Sequence, residues 1–306
     1  MSVPSGATGR WLVIGADGML GRDLVAILTA TGRPITAAGR RRLDITDPDA
    51  VRAAVQGHEL VINAAAWTDV DGAEQQETTA TRVNGTGVAH LAESCAATGA
   101  RLMHVSTDYV FAGDATEPYP EHAPTAPVNA YGRSKLAGER AVLARLPEHG
   151  YVVRTAWLYA THGRNFVRTV LRLAAEREHL DVVDDQVGQP TWSYLLAGRL
   201  VELAGAAVAS RAPAGIYHGT CTGQTSWYGL ARAVFTLAGL DPERIRPVGS
   251  DRFPRPARRP AYSVLAHQRW AAAGLPPLPH WQDALTAALT DRRSATEATP
   301  PAVIPG

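Results

Sequence analysis

Tyr131 and Lys135 stand four residues apart in Tyr131-Gly-Arg-Ser-Lys135, at the start of a segment, 131–146, with helical periodicity. That spacing puts both side chains on one face of a helix. A phenol titrates near ~10 and an ammonium near ~10.4. Side by side, the ammonium favours the phenolate and tunes the phenol for proton exchange near neutral pH. Upstream, Ser106-Thr107-Asp108 ends an apolar run from Arg101 to Ser106 that reads as a strand. A hydroxyl there can hydrogen-bond a carbonyl oxygen and polarise it. Tyrosine and lysine four apart is a weak signal in most chains. Here 29 of the 30 basic residues are arginine and the sole lysine is Lys135. Mutation pressure towards arginine codons accounts for the 29 and not for the exception.

A second constellation, Gly15-x-x-Gly18-x-x-Gly21, follows the apolar run 11–15 directly and opens a helical pattern from Met19 to Ala30. Glycines at a strand–helix junction allow a tight turn and close backbone approach to a pyrophosphate, which the helix N-terminus then attracts. The second strand, Pro34 to Ala38, ends in Gly39-Arg40-Arg41-Arg42, where an NAD site commonly carries an acid. Arginine suits a 2′-phosphate. NADPH is therefore expected over NADH, with three solvated arginines as the competing reading and NADH use left open. Beside a bound dinucleotide, Lys135 can also hold the nicotinamide ribose.

These groups need a scaffold. Strand-like runs at 11–15, 34–38, 60–66, 101–106 and 150–156 alternate with helical patterns at 19–30, 79–98 and 131–146. Such alternation predicts βαβ units, hence an α/β, Rossmann-type doubly wound parallel sheet. Beyond about residue 160, helices are expected at 165–178, 192–208 and 227–240, with an irregular loop at 246–260. The expected division is a dinucleotide domain over 1–160, with 192–215 packing back on it. A smaller mixed α/β substrate part takes in 161–191 and 216–290, and 291–306 is a disordered tail.

Composition excludes several classes. A net charge of +1 offers no pull on nucleic acid or anionic lipid. Hydrophobic content of 45% describes a folded globule, and no apolar run approaches the roughly 20 residues of a membrane helix. Cys95 and Cys221 make neither a disulfide framework nor a zinc site, and no signal-peptide core follows Met1 to Arg10. A cytoplasmic location is expected.

Taken together, Gly15-x-x-Gly18-x-x-Gly21, Asn63-Ala64-Ala65, Ser106-Thr107-Asp108-Tyr109-Val110-Phe111 and Tyr131-Gly-x-Ser-Lys135 resemble the extended short-chain dehydrogenases/reductases. Within them, Ala64-Ala-Ala-Trp-Thr68-Asp-Val70-Asp71, Arg154-Thr-Ala-Trp157-Leu-Tyr159, Asp184-Asp-Gln186-x-Gly-x-Pro190-Thr191 and Arg259-Pro-x-x-Ser263-x-Leu265 resemble the dTDP-4-dehydrorhamnose reductases, over roughly 11–290.

The resemblance implies NADPH-dependent reduction of the C4 keto group of a dTDP-4-keto-6-deoxy sugar, foremost dTDP-4-dehydro-L-rhamnose. Tyr131 would protonate the C4 oxygen, Lys135 would lower the phenol's pKa, and Thr107 would bind the carbonyl. Gly15, Asp17, Gly18, Met19, Leu20 and Gly21 would hold the pyrophosphate. Arg40, Asp44 and Ile45 would lie towards the adenosine end, and Ala64, Ala65 and Asn84 along the cofactor groove. Val70, Asp108, Tyr109 and Trp157 would shape the sugar pocket, and Arg259 would meet phosphate. Core packing competes for Trp157, and a solvated basic loop competes for Arg259.

Related dehydratases follow the threonine with Asp-Glu; here Tyr109 follows Asp108, which favours reduction over elimination. Spacing alone leaves an epimerase open. The same scaffold would also serve a ketoreductase for another dTDP-deoxysugar, of dihydrostreptose type, or a non-catalytic NADP-binding regulatory subunit. Gln189-Pro190-Thr191-Trp192-Ser193-Tyr194 lacks the glutamates that bridge a metal in some of these reductases' dimers. No metal is expected, and a monomer or homodimer.

Overall fold

The computed structural model describes residues 9–291; the tail expected from 291 onward lies, from 292, outside the described residues. Short apolar runs near the N-terminus become strands β1 (Trp11–Ile14), β2 (Ile35–Ala38), β3 (Leu60–Asn63), β4 (Arg101–Thr107) and β5 (Gly150–Thr155). A sixth strand of the same sheet, β6 (Gly215–His218), comes much later in the chain. The sheet order is β6-β5-β4-β3-β1-β2, and every pairing is parallel. The sheet is thus an α/β doubly wound one, and its order reverses between β1 and β3. Ligands in such sheets bind at the carboxyl ends beside that switch point.

Strands covered on both faces are mainly apolar, and β1, β3 and β5 are buried along their whole length, with polar residues only towards the carboxyl ends of β3 and β5. Alternate residues serve opposite faces. Trp11, Val13, Leu60 and Ile62 face a core shared with α1 (Met19–Ala30) and α8 (Ser193–Val208). Leu12, Ile14 and Val61 face a second core with α2 (Pro48–Val55) and α5 (Val88–Thr98). Between these lie the short helices α3 (Val70–Gln75) and α4 (Glu77–Thr81); α6 (Ala130–Arg145) follows β4. Helix α8 packs along α1 although nearly 170 residues separate them.

Helices α7 (Phe166–Glu176), α9 (Trp227–Leu237) and α10 (Trp281–Thr290) occur among short strands paired outside the main sheet. The loop expected at 246–260 differs at its start. Ile245–Val248 is a strand paired in parallel with Leu180–Val183, despite Pro247, because an edge position tolerates a missing N–H. The helical pattern at 79–98 is not one helix. Residues Arg82–Gly87 form a π-helical turn between α4 and α5. That turn presses its backbone against α6, where a Cβ on Gly138 would lie 2.2 Å from Asn84 O.

Candidate active site

The glycine loop is a cradle that side chains would fill. Gly15 has φ +78°, and a Cβ on it would lie 2.6 Å from Ala65 N. A Cβ on Gly21 would lie 2.0 Å from Gly15 O, so helix and loop touch backbone to backbone. Gly18 caps α1 without a side-chain hydrogen bond, leaving the first N–H groups free for an anion. Ala64 N donates to Ile14 O and Ala65 N to Asn63 Oδ1, which fixes the far wall of the groove. These features fit a bound pyrophosphate. Met19 and Leu20 open α1 in the same cradle.

Asn84 sits in the π turn, fully buried. It accepts from Trp67 N at 2.8 Å and donates to Trp67 O and Ser134 Oγ. Towards the adenosine end, the Thr46 N–H and hydroxyl hold Asp44 below the usual carboxylate range, with Arg40 and Arg82 assisting. Ile45 is buried against Gly87. Arg40, Arg41 and Arg42 are exposed, and Arg42 donates to Ala37 O. The Asp17 carboxylate lies against Gly39, at the end of β2.

Strand β4 ends at Thr107, whose hydroxyl donates to Asp108 Oδ1 at 2.9 Å and accepts from Tyr109 N at 3.2 Å. Helix α6 starts at a cap formed by Asn129, whose Oδ1 accepts from Gly132 N at 2.8 Å. A Cβ on Gly132 would lie 2.1 Å from Tyr109 O, so glycine lets this helix end close on β4's exit. Tyr131 is thereby brought close to Thr107, whose hydroxyl acts on the phenol. Its ring meets that of Tyr109 edge-on, centroids 6.0 Å apart.

One turn on, Lys135 is fully buried and its Nζ donates to Val105 O at 2.7 Å. Burial brings its pKa down to about 8, opposed by Glu139. Burial pushes the Tyr131 phenol up, and the Asp108 charge adds to this. Burial and the Asp108 charge thus hold the phenol protonated. Burial also raises Asp108 to about 6, against the Ser263 and Thr107 hydroxyls. Beneath the pair, Glu139 and Arg154 form a buried two-pronged ion pair at 2.9 and 2.7 Å that also takes the Ser106 hydroxyl.

Beside Tyr109 opens a cavity of about 890 Å³. Of the residues assigned to the sugar, Tyr109 and Arg259 line it. Trp157 is one contact removed, stacked at 3.6 Å on Trp227, which does line it. Trp157 has φ +46°, a costly backbone state for a bulky residue, and its indole lies over Gly188. Val70 opens α3 beside Asp71, a lining residue. Thr107, Asp108 and Tyr131 are not among the residues that line it, although Tyr131 touches Tyr109, which does. Reasoning along the sequence missed Phe166, Trp227, Arg246 and Phe253, which also line it. Nothing in their local pattern separates them from core or surface residues. Among the described residues, no group of three or more His, Cys, Asp or Glu could hold a metal ion.

A phosphate cradle at the switch point, with a threonine, tyrosine and lysine converging from β4 and α6, defines a dinucleotide-dependent oxidoreductase of the extended short-chain dehydrogenase/reductase class. Within that class the chain belongs to the family described as RmlD substrate binding domain, whose model matches residues 9–294. It is 56% identical over 279 residues to a dTDP-4-dehydrorhamnose reductase of Streptomyces griseus, covering 90% of this chain and 92% of the relative. It is 52% identical over 283 residues to a dTDP-4-keto-6-deoxy-D-glucose reductase of Streptomyces niveus, covering 92% and 96%. Among solved structures, the dTDP-4-dehydrorhamnose reductase of Bacillus anthracis, in complex with NADP, superposes with a TM-score of 0.86 at 36% identity, covering 92% and 98%.

Proposed function

We propose that the chain reduces the C4 keto group of a dTDP-4-keto-6-deoxy sugar with NADPH, foremost dTDP-4-dehydro-L-rhamnose to dTDP-L-rhamnose. The observation that carries this reading is the juxtaposition of Thr107, Tyr131 and the single lysine beside the glycine cradle. Relatives named for this reaction, and the NADP held by one of them, support it. NADPH supplies the hydride that arrives at C4.

The chain's own groups do the rest. The glycine loop, Ala64, Ala65 and the π turn with Asn84 form the cofactor groove. Thr107 hydrogen-bonds the carbonyl oxygen and polarises it. Tyr131, kept protonated by burial, gives its proton to that oxygen as negative charge develops. Lys135 holds the ribose. Arg259 meets phosphate at the cavity, and Val70, Tyr109 and Trp157 shape the sugar site. Asp108 followed by Tyr109 lacks the acid/base pair that elimination needs. The Streptomyces niveus relative favours a second substrate reading, in which the sugar has not been epimerised.

Cys95 and Cys221 are buried free thiols, which suits a reducing cytoplasm. Among the described residues, no helix is long and apolar enough to cross a membrane.

The test is a coupled reaction. A dehydratase, with and without an epimerase, supplies the 4-keto sugar; the chain and NADPH are added, and the product is identified by NMR. Oxidation of NADPH with formation of a 4-hydroxy sugar is expected. Binding of NADPH without turnover of either sugar would overturn the reading.

A further inference from the structure

Behind Lys135, three buried polar groups form a chain whose donors and acceptors can be counted. Asn63 ends β3 and His104 lies in β4, and the two are direct partners in the parallel ladder. Both are fully buried, as is Lys135. Asn63 Oδ1 accepts from Ala65 N at 3.1 Å, which orients the amide so that Nδ2 faces His104 Nδ1, also at 3.1 Å. An amide Nδ2 can only donate. His104 Nδ1 must therefore carry the lone pair, and the proton of the neutral ring sits on Nε2. That nitrogen faces Lys135 Nζ at 3.4 Å.

An ammonium opposite an N–H is a meeting of two donors, whereas an amine accepts. The distances agree. Lys135 Nζ lies 2.7 Å from Val105 O, a full hydrogen bond, while its 3.4 Å separation from His104 Nε2 is at the outer limit of one, as two facing N–H donors would give. Protonating the ring is no escape, since burial and Lys135 itself keep His104 neutral.

We propose that His104, held by Asn63 in the tautomer protonated on Nε2, is a positioning residue that presents an N–H to Lys135 and favours the amine over the ammonium. The inference deepens the proposed function, since it rests on Lys135 belonging to the catalytic pair. The other ionisable groups around the lysine act differently. Glu139, one turn further along α6, favours the ammonium, but its carboxylate is taken up by Arg154 from β5 and by Ser106. Tyr131, one turn earlier, is kept neutral by burial. His104 is thus the neighbour that works with burial to bring the lysine's proton into exchange near neutral pH. A lysine of ordinary pKa would hold it too tightly to serve a phenol that must be recharged after each turnover.

The single lysine makes the test direct. Protein grown with lysine labelled by ¹³C at Cε gives one lysine side-chain signal, and its pH titration reads Lys135 without assignment. The wild type is expected to titrate at about 8. Asn63→Leu removes the donor that fixes the ring, frees Nε2 to accept, and is expected to move the midpoint up by about one unit. An unchanged or lower midpoint would overturn the proposal. In wild-type protein labelled with ¹⁵N-histidine, the ring in contact with the lysine Cε protons is expected to carry its proton on Nε2. A proton on Nδ1 would overturn the proposal even if the variant failed to fold. The alkaline limb of kcat/KM should move with the titration. If no 4-keto sugar is turned over, the reductase reading fails while both NMR readouts still decide the role of His104.

Discussion

Asp71 and Arg259, 188 residues apart in the chain, form a two-pronged ion pair at the mouth of the cavity. Arg259 holds the Asp71 carboxylate below the usual carboxylate range, with Ala257 N donating to the same group. Tyr109 lies close to the same guanidinium and lines the cavity with it. The guanidinium proposed to meet the substrate's phosphate is thus already oriented by α3. Arg259→Ala is expected to raise KM for the dTDP-sugar about tenfold or more, the value of one charge-assisted hydrogen bond or so. The kcat should change by no more than a few fold. Steady-state kinetics checks this, and an unchanged KM would remove Arg259 from the phosphate site.

Tyr131→Phe deletes the proton donor without altering the cradle. Turnover is expected to fall by roughly 10²–10⁴, with NADPH affinity kept in a fluorescence titration. Lys135→Arg should abolish activity as well, since a planar guanidinium does not fit the compact space bounded by Val105 O and His104. Normal turnover in the arginine variant would mark the lone lysine as an accident of codon usage.

The Glu139–Arg154 pair is 1–2% exposed and also binds Ser106. Glu139→Gln leaves the guanidinium buried and uncompensated, and is expected to cost about 3–5 kcal/mol. Urea denaturation measures it. A loss below about 1 kcal/mol would show that water reaches Arg154.

Asp108 has a folded pKa raised to about 6 from 3.8, mainly by burial. The folded state therefore binds the proton more tightly than the unfolded chain. The stability this gives is full below about 4 and is lost as pH rises through about 6. Asp108→Asn, always neutral, should stabilise the fold more at pH 7.5 than at pH 4. Thermal melts at both pH values decide this, and an equal effect at both would refute it.

Arg40 lies near the Asp44 carboxylate at the adenosine end of the groove. Arg40→Ala should lower kcat/KM with NADPH about tenfold, for one lost charged contact, and leave NADH unchanged. Parallel losses with both cofactors would deny it a role at the 2′-phosphate.

How much was legible beforehand follows from the range of each determinant. The glycine cradle, the strands β1, β3 and β4, and the shared face of Tyr131 and Lys135 could be read in order. Their geometry is set within a few residues, by a tight turn, by two-residue alternation and by 3.6-residue periodicity. Strand β6 was not legible, because its membership depends on pairing with β5 more than sixty residues earlier. The π turn was also hidden: its pattern is helical, and only the approach of α6 to Asn84 marks it. Trp227 and Phe253 read as ordinary apolar residues until the fold places them around one cavity.

The sequence by itself determined which residue types could bind a dinucleotide and exchange a proton, and that the lysine among them was singular. Only the tertiary structure decided what those groups feel. Burial at the start of α6 holds Tyr131 as a phenol, the β3–β4 register sets Asn63 on His104, the packing of α6 on β4 sets His104 against Lys135, and the fold brings Asp71 to Arg259. Proton affinity depends on solvent exclusion and on neighbours from other segments, and neither is encoded at any spacing along the chain.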